Sequence, residues 1–172
     1  MADGNLSDGK VYFAEQDGTC VLRFQGAISY TLGNALDRFL DDLFARGGFA
    51  KILVDLTGVE SIDSTGLGLL AKIANFVRRR DGVKPLLFST QPDINELLSN
   101  ICLDEAFVLC AQLPEHFPDP ARGQALPAGN PSETELAQTV LEAHRLLCEM
   151  NEHNRAMFQN VVDAFERDLG QT

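Results

Sequence analysis

The first 113 residues alternate between short apolar runs and longer amphipathic segments. Residues 11–15 and 19–25 alternate apolar and polar side chains, as the strands of a half-buried sheet do. Over residues 32–43, apolar side chains recur every three or four positions, which predicts a helix with one buried face. The unbroken apolar run at residues 52–54 is typical of a central strand that is covered on both faces.

The same alternation continues to the end of this region. It predicts a second helix over residues 64–80, a strand over 84–88, a third helix opened by Pro92 and a last strand at 107–109. Strands that alternate with helices after an initial hairpin indicate an α/β fold, with a mixed β-sheet of about five strands and helices packed on it.

Proline content separates residues 1–113 from the rest of the chain. Residues 114–131 contain five of the seven prolines, which predicts a linker or an extended strap. Residues 132–172 are predicted to be a helical extension, in which Ser132 and Glu135 fit a capping box. Its length corresponds to a single helix of about 35 residues, or to a helical hairpin that bends near residue 151.

Apolar residues in the extension are spaced alternately four and three positions apart, as in a coiled coil. Asn154 occupies one position of this seam, where a buried polar side chain can set the register. The other members are Leu136, Val140, Ala143, Leu147, Met150, Met157 and Val161. Two interpretations stay open: the extension folds onto its own domain, or it binds a partner, including a second copy in a homodimer.

Charge and hydropathy exclude several classes of function. Acidic residues outnumber basic ones by 25 to 14, and a formal charge of −11 does not favour nucleic-acid binding. No apolar segment reaches the ~20 residues of a membrane-spanning helix, and the first ten residues have neither the basic nor the apolar part of a secretory signal. We therefore expect a cytoplasmic protein without direct membrane insertion.

Cysteines and histidines have neither disulfide nor metal-ligand spacing. The four cysteines are scattered along the chain, at Cys20, Cys102, Cys110 and Cys148. The histidines lie in the predicted strap and in the extension, at His116, His144 and His153. The sequence therefore predicts no metal site, and we expect no cofactor.

The segment IDSTGLGL, residues 62–69, contains an acid, two hydroxyls and two glycines. Gly66, Gly68 and Ala71 match the dinucleotide-binding pattern G-x-G-x-x-A, but that pattern needs its first glycine at the turn directly after a strand. With the preceding strand expected to end at Leu56, the glycines come too late, and a dinucleotide site is rejected.

A nucleophilic serine is the second chemical possibility in this segment. Ser64 is not flanked by the glycines of the G-x-S-x-G elbow. None of the histidines belongs to the predicted domain, so a base for Ser64 would have to come from outside it. The sequence therefore does not favour an enzyme.

The third possibility is that Ser64 begins a helix. As a cap, its hydroxyl would accept hydrogen bonds from the amides of Gly66 and Leu67. Two glycines in the first turn leave the backbone bare, which permits close packing or close approach of another protein. A phosphate on Ser64 would meet the positive helix end and would add about two negative charges beside Asp63.

Residues 52–79, ILVDLTGVESIDSTGLGLLAKIANFVRR, resemble the signature of the STAS domain, as found in bacterial anti-sigma-factor antagonists. Residues 24–29, FQGAIS, resemble the loop after the family's second strand, with Ser29 where an acid is usual. The resemblance covers about residues 8–112 and implies a STAS-like fold for residues 1–113. The helical extension is not part of it.

The resemblance implies a phosphorylation-gated switch in transcription regulation. In this family the unphosphorylated antagonist sequesters an anti-sigma factor, often a serine kinase, and phosphorylation of the serine after the aspartate weakens binding. A PP2C-type phosphatase reverses the modification. By motif the phosphorylated residue is Ser64, with Thr65 as second choice. The implied docking surface comprises Gly26, Ala27, Ile28, Ser29, Asp63, Ser64, Thr65, Gly66, Leu67 and Gly68.

A second function is compatible with the same resemblance. STAS domains also serve as accessory subunits of membrane-associated complexes such as lipid transporters, without phosphorylation. The pair Asp63–Ser64 and the lack of an apolar membrane segment favour the antagonist.

Overall fold

The computed structural model describes residues 6–171. Residues 1–5, which belong to the predicted domain and to the segment considered as a secretory signal, lie outside the described residues, as does residue 172. The elements are β1 Lys10–Gln16, β2 Thr19–Ile28, α1 Tyr30–Arg46, β3 Lys51–Ile62, α2 Ser64–Asp81, β4 Leu86–Phe88, α3 Pro92–Asn100, α4 Leu103–Ala106, β5 Val108–Cys110, β6 Gln124–Ala125, α5 Glu133–Met150 and α6 Glu152–Asp168.

The strands form one mixed sheet in the order β5-β4-β3-β2-β1-β6. Strands β2, β3, β4 and β5 run parallel, whereas β1 pairs antiparallel with β2 and with β6. The α/β fold and the mixed sheet predicted from the sequence are confirmed. The sixth strand comes from the proline-rich segment, where Gln124 pairs with Phe13.

Strand β3 is longer than its apolar run indicated. It continues past Leu56 to Ile62 and stays paired with β2 through two shifts of register. The side-chain amide of Gln91 supports this irregular part, since its Nε2 donates to the carbonyls of Thr57 at 2.9 Å and Val59 at 2.7 Å. As a result, Asp63 alone separates β3 from α2.

The helical extension is a hairpin of two helices, so the hairpin alternative is confirmed and the single long helix is wrong. The capping box at its start is present, because Ser132 accepts from the amide of Glu135 and the Glu135 carboxylate accepts from the amide of Ser132. Asn151 is extended (φ −167°, ψ 169°), which ends α5. Its side chain then accepts from the amide of Asn154 at 2.8 Å and caps α6.

The hairpin packs onto the domain through α5, which contacts α2 and α1, while α6 packs on α5. Two groups of buried side chains result. The main core fills the space between the sheet and its helices and includes Leu22, Phe24, Val54, Leu70 and Leu147. The hairpin core is a separate, smaller cluster between α5 and α6, formed by Leu141, Cys148 and Val162 with Phe158, Phe165 and Leu169 at its edge.

Candidate functional site

Asp63 joins the two loops that the sequence analysis assigned to the docking surface. Parallel pairing of β2 and β3 brings their carboxyl ends to one edge of the sheet, where the amide of Asp63 donates to the carbonyl of Ile28 at 3.0 Å. The carboxylate Oδ2 accepts from the amide of Tyr30 at 2.7 Å, and Oδ1 accepts from the amide of Gly66 at 2.9 Å. One carboxylate therefore satisfies the first turns of both α1 and α2, which need external acceptors.

Ser64 is the first residue of α2 and not its cap. The sequence analysis assigned capping of the Gly66 amide to the Ser64 hydroxyl, and this is wrong because Asp63 performs it. The side chain of Ser64 is half-buried, and its Oγ lies 2.8 Å from Nε2 of His144 on α5. The hydroxyl is thus not consumed by its own helix.

The roles in the pair Ser64–His144 follow from the second nitrogen of the ring. Nδ1 of His144 lies 2.7 Å from the carbonyl oxygen of Val140, which can only accept, so Nδ1 carries a proton. In the neutral ring Nε2 then accepts, and the hydroxyl of Ser64 donates to it. His144 is 4% exposed and packs edge-on against Phe158 of α6. The hairpin therefore holds the imidazole in a fixed position over Ser64.

Gly68 lies where α5 approaches α2 most closely. A Cβ atom at Gly68 would be 2.3 Å from the carbonyl oxygen of Ala143, a backbone atom that cannot turn aside. Gly66, two residues earlier, faces the interior instead, where a Cβ would be 2.8 Å from Cγ1 of Ile62. The two glycines of the turn serve different contacts, one with the hairpin and one within the domain.

The loop at the end of β2 is covered by the N-terminal segment. The amide of Ala27 donates to the carbonyl of Ser7 at 2.9 Å. A Cβ at Gly26, which has a φ of +73°, would be 2.7 Å from that same carbonyl oxygen. Ser7 also donates through its amide and its hydroxyl to Glu60, which lowers the pKa of that carboxyl below its ordinary value.

The ten residues predicted as a docking surface are brought together at one edge of the sheet, but they differ in accessibility. Four of them are half-buried: Ala27, Ser29, Asp63 and Ser64. The other six are buried, namely Gly26, Ile28, Thr65, Gly66, Leu67 and Gly68. Thr65, the second choice for phosphorylation, is only 3% exposed. With α5 docked, Ser64 is the more accessible hydroxyl of the two.

The arrangement bears on the chemistry considered for this turn. Only Asp63 stands between β3 and α2, so the spacing argument against a dinucleotide site rested on a strand end that is wrong. The amide of Gly66 is nevertheless occupied by Asp63 and the face of Gly68 by Ala143, which leaves no cradle for a pyrophosphate. The pair Ser64–His144 has the elements of a nucleophile and a base, but α5 lies directly on it.

Within residues 6–171, no group of three or more His, Cys, Asp or Glu side chains is arranged to hold a metal ion. In the same part of the chain, no helix is both long and apolar enough to cross a membrane. Cys20 is buried, and burial raises the pKa of its thiol to about 12.

His144 is the functional residue that the sequence analysis missed. It lies 80 positions from Ser64 along the chain, and only the packing of α5 on α2 brings the two together. The available signal was Gly68, because a glycine in the first turns of a helix predicts a close backbone neighbour, although it does not say which.

The sequence model of the STAS domain matches residues 11–116 of this chain. The structure is similar to that of an anti-sigma factor antagonist from Mycobacterium paratuberculosis, with a TM-score of 0.53 and 20% identity over 62% of this chain and 88% of the other. It is also similar to the anti-sigma factor antagonist SpoIIAA in its unphosphorylated form, with a TM-score of 0.52 and 14% identity over 59% of this chain and 89% of the other. The fold is shared at these identities, and the chain belongs to the STAS domain family.

Proposed function

We propose that this protein is an anti-sigma-factor antagonist whose binding is gated by phosphorylation of Ser64. The unphosphorylated form binds an anti-sigma factor that is also a serine kinase, and so regulates transcription. Phosphorylation of Ser64, with Thr65 as second choice, weakens binding, and a PP2C-type phosphatase restores it. The protein acts as a binding switch without a catalytic role of its own.

This proposal rests on the observation that Asp63 and Ser64 have different roles at the start of α2. Serine is a preferred cap where a helix begins, and a serine used in this way would bond to the amides of its own helix. Here Asp63 caps α2, and the hydroxyl of Ser64 points away from its own helix to a side chain on another element. A hydroxyl at a helix start that its own helix does not need is a suitable acceptor for phosphate.

A phosphate at Ser64 would change the docking surface in two ways. It would add about two negative charges next to Asp63, whose carboxylate joins the loops that end β2 and β3. It would also place three acceptor oxygens at the centre of any interface built on that edge, where an unmatched charge commonly costs several kcal/mol.

The test is to use the purified chain as bait for proteins of its source, and to identify a captured anti-sigma factor by mass spectrometry. That protein is then incubated with the chain and ATP, and phosphate is located on the peptides. We expect phosphate on Ser64, no phosphate in Ser64→Ala, and at least tenfold weaker binding for Ser64→Asp.

Ser29→Asp is the matched control for added charge, because Ser29 lies on the same edge and the family usually has an acid there. It is expected to keep binding. If Ser64 and Thr65 stay unmodified and Ser64→Asp binds as tightly as the unchanged chain, the switch is wrong. A membrane-associated complex captured equally by both variants would then favour the role of an accessory subunit.

A further inference from the structure

The C-terminal hairpin lies on the residues that the proposed switch must use. Helix α5 places His144 on the hydroxyl of Ser64 and the backbone of Ala143 on Gly68. His144 and Ala143 are 4% and 0% exposed, so they are closed into this contact. A kinase cannot bring ATP to a hydroxyl that is bonded to a buried imidazole, and a partner cannot reach Gly68 through α5.

The contact between α5 and the domain is partly polar and incompletely packed. Thr139 accepts a hydrogen bond from Nδ2 of Asn34 at 3.2 Å, and Glu135 pairs with Arg38. Further along, a groove of about 650 Å³ opens between α1, α2 and α5, next to Phe76. Leu147 of α5 joins the main core at this contact, so the interface combines one buried apolar anchor with polar contacts and a groove at its edges.

The α5–α6 hairpin is built so that it can dissociate from the domain as a unit. Its two helices share the hairpin core, built around Leu141 and Val162, which does not depend on the sheet. Between β6 and Ser132, residues 127–131 form a tether that spans up to about 17 Å when extended. At the bend, Nδ2 of Asn154 donates to the carbonyl of Ile101 at 2.9 Å and Nε2 of His153 lies 3.2 Å from the carbonyl oxygen of Asn100, two contacts that release would break.

We propose that the α5–α6 hairpin is an autoinhibitory segment that covers Ser64 in the resting chain and must leave before the Ser64 surface can be phosphorylated or bind its partner. This inference rests on the proposed function for its consequence, but the cover itself can be measured without any partner. The hairpin adds a second level of control to the switch. Only when it is displaced can the phosphorylation state of Ser64 affect partner binding.

The phosphate and the docked hairpin also exclude each other. Phosphorylation replaces the hydrogen that Oγ of Ser64 donates to His144, and it would place a dianion against an imidazole that is 4% exposed. A phosphorylated chain is therefore held open, and removal of the phosphate is required before the hairpin can close again. The docked hairpin and the phosphate therefore act on the same atom, Oγ of Ser64, one after the other.

The test measures access to position 64 in the full chain. In a Ser64→Cys background, the rate of alkylation by N-ethylmaleimide is followed on the peptide that carries residue 64. Native cysteines are separated by peptide mass, and burial raises the pKa of the Cys20 and Cys148 thiols, which slows their reaction. Adding Ala143→Arg, whose side chain has no space against Gly68, is expected to accelerate alkylation about tenfold or more.

Ala156→Arg is the matched control, because Ala156 is exposed on α6 and the same charge is added without touching α2. It is expected to leave the alkylation rate unchanged. Leu147→Ala provides a second opening variant that adds no bulk, should Ala143→Arg fail to fold by circular dichroism. It removes a side chain that is 0% exposed where α5 packs on the main core, and is expected to accelerate alkylation about tenfold or more.

The outcomes separate this inference from the proposed function. Faster alkylation in the folded opening variants supports the cover, whether or not a kinase acts on Ser64. Equal alkylation rates in the Ser64→Cys chain, the opening variants and the control would overturn the inference that the hairpin covers position 64. This holds even if Ser64 is phosphorylated. Where a kinase has been identified, Ala143→Arg is also expected to speed phosphorylation of Ser64 by the same factor as alkylation.

Discussion

The two cores of this chain differ in how they are built and in what they control. The main core is continuous from β1 to α4, includes Leu147 of α5, and contains large side chains that are fully buried, such as Phe24 and Leu70. The hairpin core has three buried members, Leu141, Cys148 and Val162, and joins only α5 to α6. The first holds the STAS fold, and the second holds a pair of helices that rests on it.

The difference between the two cores indicates which part of the molecule can move at a low free-energy cost. Opening the main core would expose side chains whose burial accounts for most of the stability of a domain. Lifting the hairpin exposes Ala143, a few polar groups and the hairpin side chains that pack on the main core, while the hairpin core stays closed; these side chains are Leu146, Leu147, Met150 and Phe158. Ser64 lies at the boundary between the main core and the hairpin. A small free energy that displaces the hairpin there changes the accessibility of Ser64.

Truncation in the main core is expected to have the largest effect. Phe24→Ala removes a ring that is 0% exposed at the centre of β2, and should lower the free energy of unfolding by about 3–5 kcal/mol. Urea unfolding followed by circular dichroism measures this. Leu141→Ala should leave the main unfolding transition nearly in place and increase amide hydrogen exchange in α5 and α6. A shift of the main transition as large as that of Phe24→Ala would mean that the two cores are one.

The two glycines of the turn provide the next comparison. A methyl group at Gly66 meets side-chain atoms of Ile62 and Ile28 inside the domain, and Gly66→Ala should cost about 1–3 kcal/mol of unfolding free energy. At Gly68 the obstacle is the backbone of Ala143 on the hairpin. Gly68→Ala should therefore displace α5, while the helix α2 itself gains propensity by up to about 1 kcal/mol.

Hydrogen exchange and urea unfolding separate these effects. We expect Gly68→Ala to increase exchange in α5 with little change in the unfolding of the sheet, and Gly66→Ala to lower the stability of both. Equal protection of α5 in Gly68→Ala and in the unchanged chain would contradict the close contact between Gly68 and Ala143.

Local patterns in the sequence were sufficient for most of the STAS domain. Apolar spacing and helix-stop signals place α2 within one residue of its observed end at Asp81, and the Ser132–Glu135 box is where the pattern predicts it. These features depend on residues within one or two turns of each other. The resemblance in the turn after β3 identifies the family for the same reason, since its signature is contiguous.

Features that depend on distant pairing could not be predicted. The second half of β3 contains Thr57, Gly58 and Glu60, which do not suggest a strand until β2 and Gln91 supply partners. The contact of Ser64 with His144 depends on how a helix hairpin docks, and a spacing rule within one segment contains no information on this. The missing histidine has this origin, whereas the cap is a local contact, three residues apart, that the sequence analysis assigned to Ser64 instead of to Asp63.

The cap formed by Asp63 yields a prediction of intermediate size. Asp63→Ala leaves the amides of Tyr30 and Gly66 without acceptors, and loss of a cap costs about 1 kcal/mol for each helix start. We expect the free energy of unfolding to fall by about 2 kcal/mol, measured with urea. Ser29→Ala serves as the control, with a change near zero: the Ser29 hydroxyl lies at the formal cap of α1 but makes no cap hydrogen bond, and it pairs with the exposed hydroxyl of Thr31 at 2.7 Å. If the two variants are equally stable, Asp63 does not join the two loops as described.

The smallest expected effect concerns the first turn of α5, where Glu135 fixes the start of the helix. The amide of Ser132, with a smaller contribution from Arg38, lowers the pKa of the Glu135 carboxyl below its ordinary value of 4.5. A lowered pKa means that this carboxylate stabilises the docked helix above pH 4.5 and that the contribution is lost only as the pH falls through the lowered value. We therefore expect no loosening of α5 between pH 5 and 8, and fraying of its first turn in more acidic solution. A carboxyl carbon titration by NMR measures the pKa directly, and Ser132→Pro, which removes that amide, should return it towards 4.5. An unchanged pKa in that variant would show that the first turn of α5 is not held by its capping box.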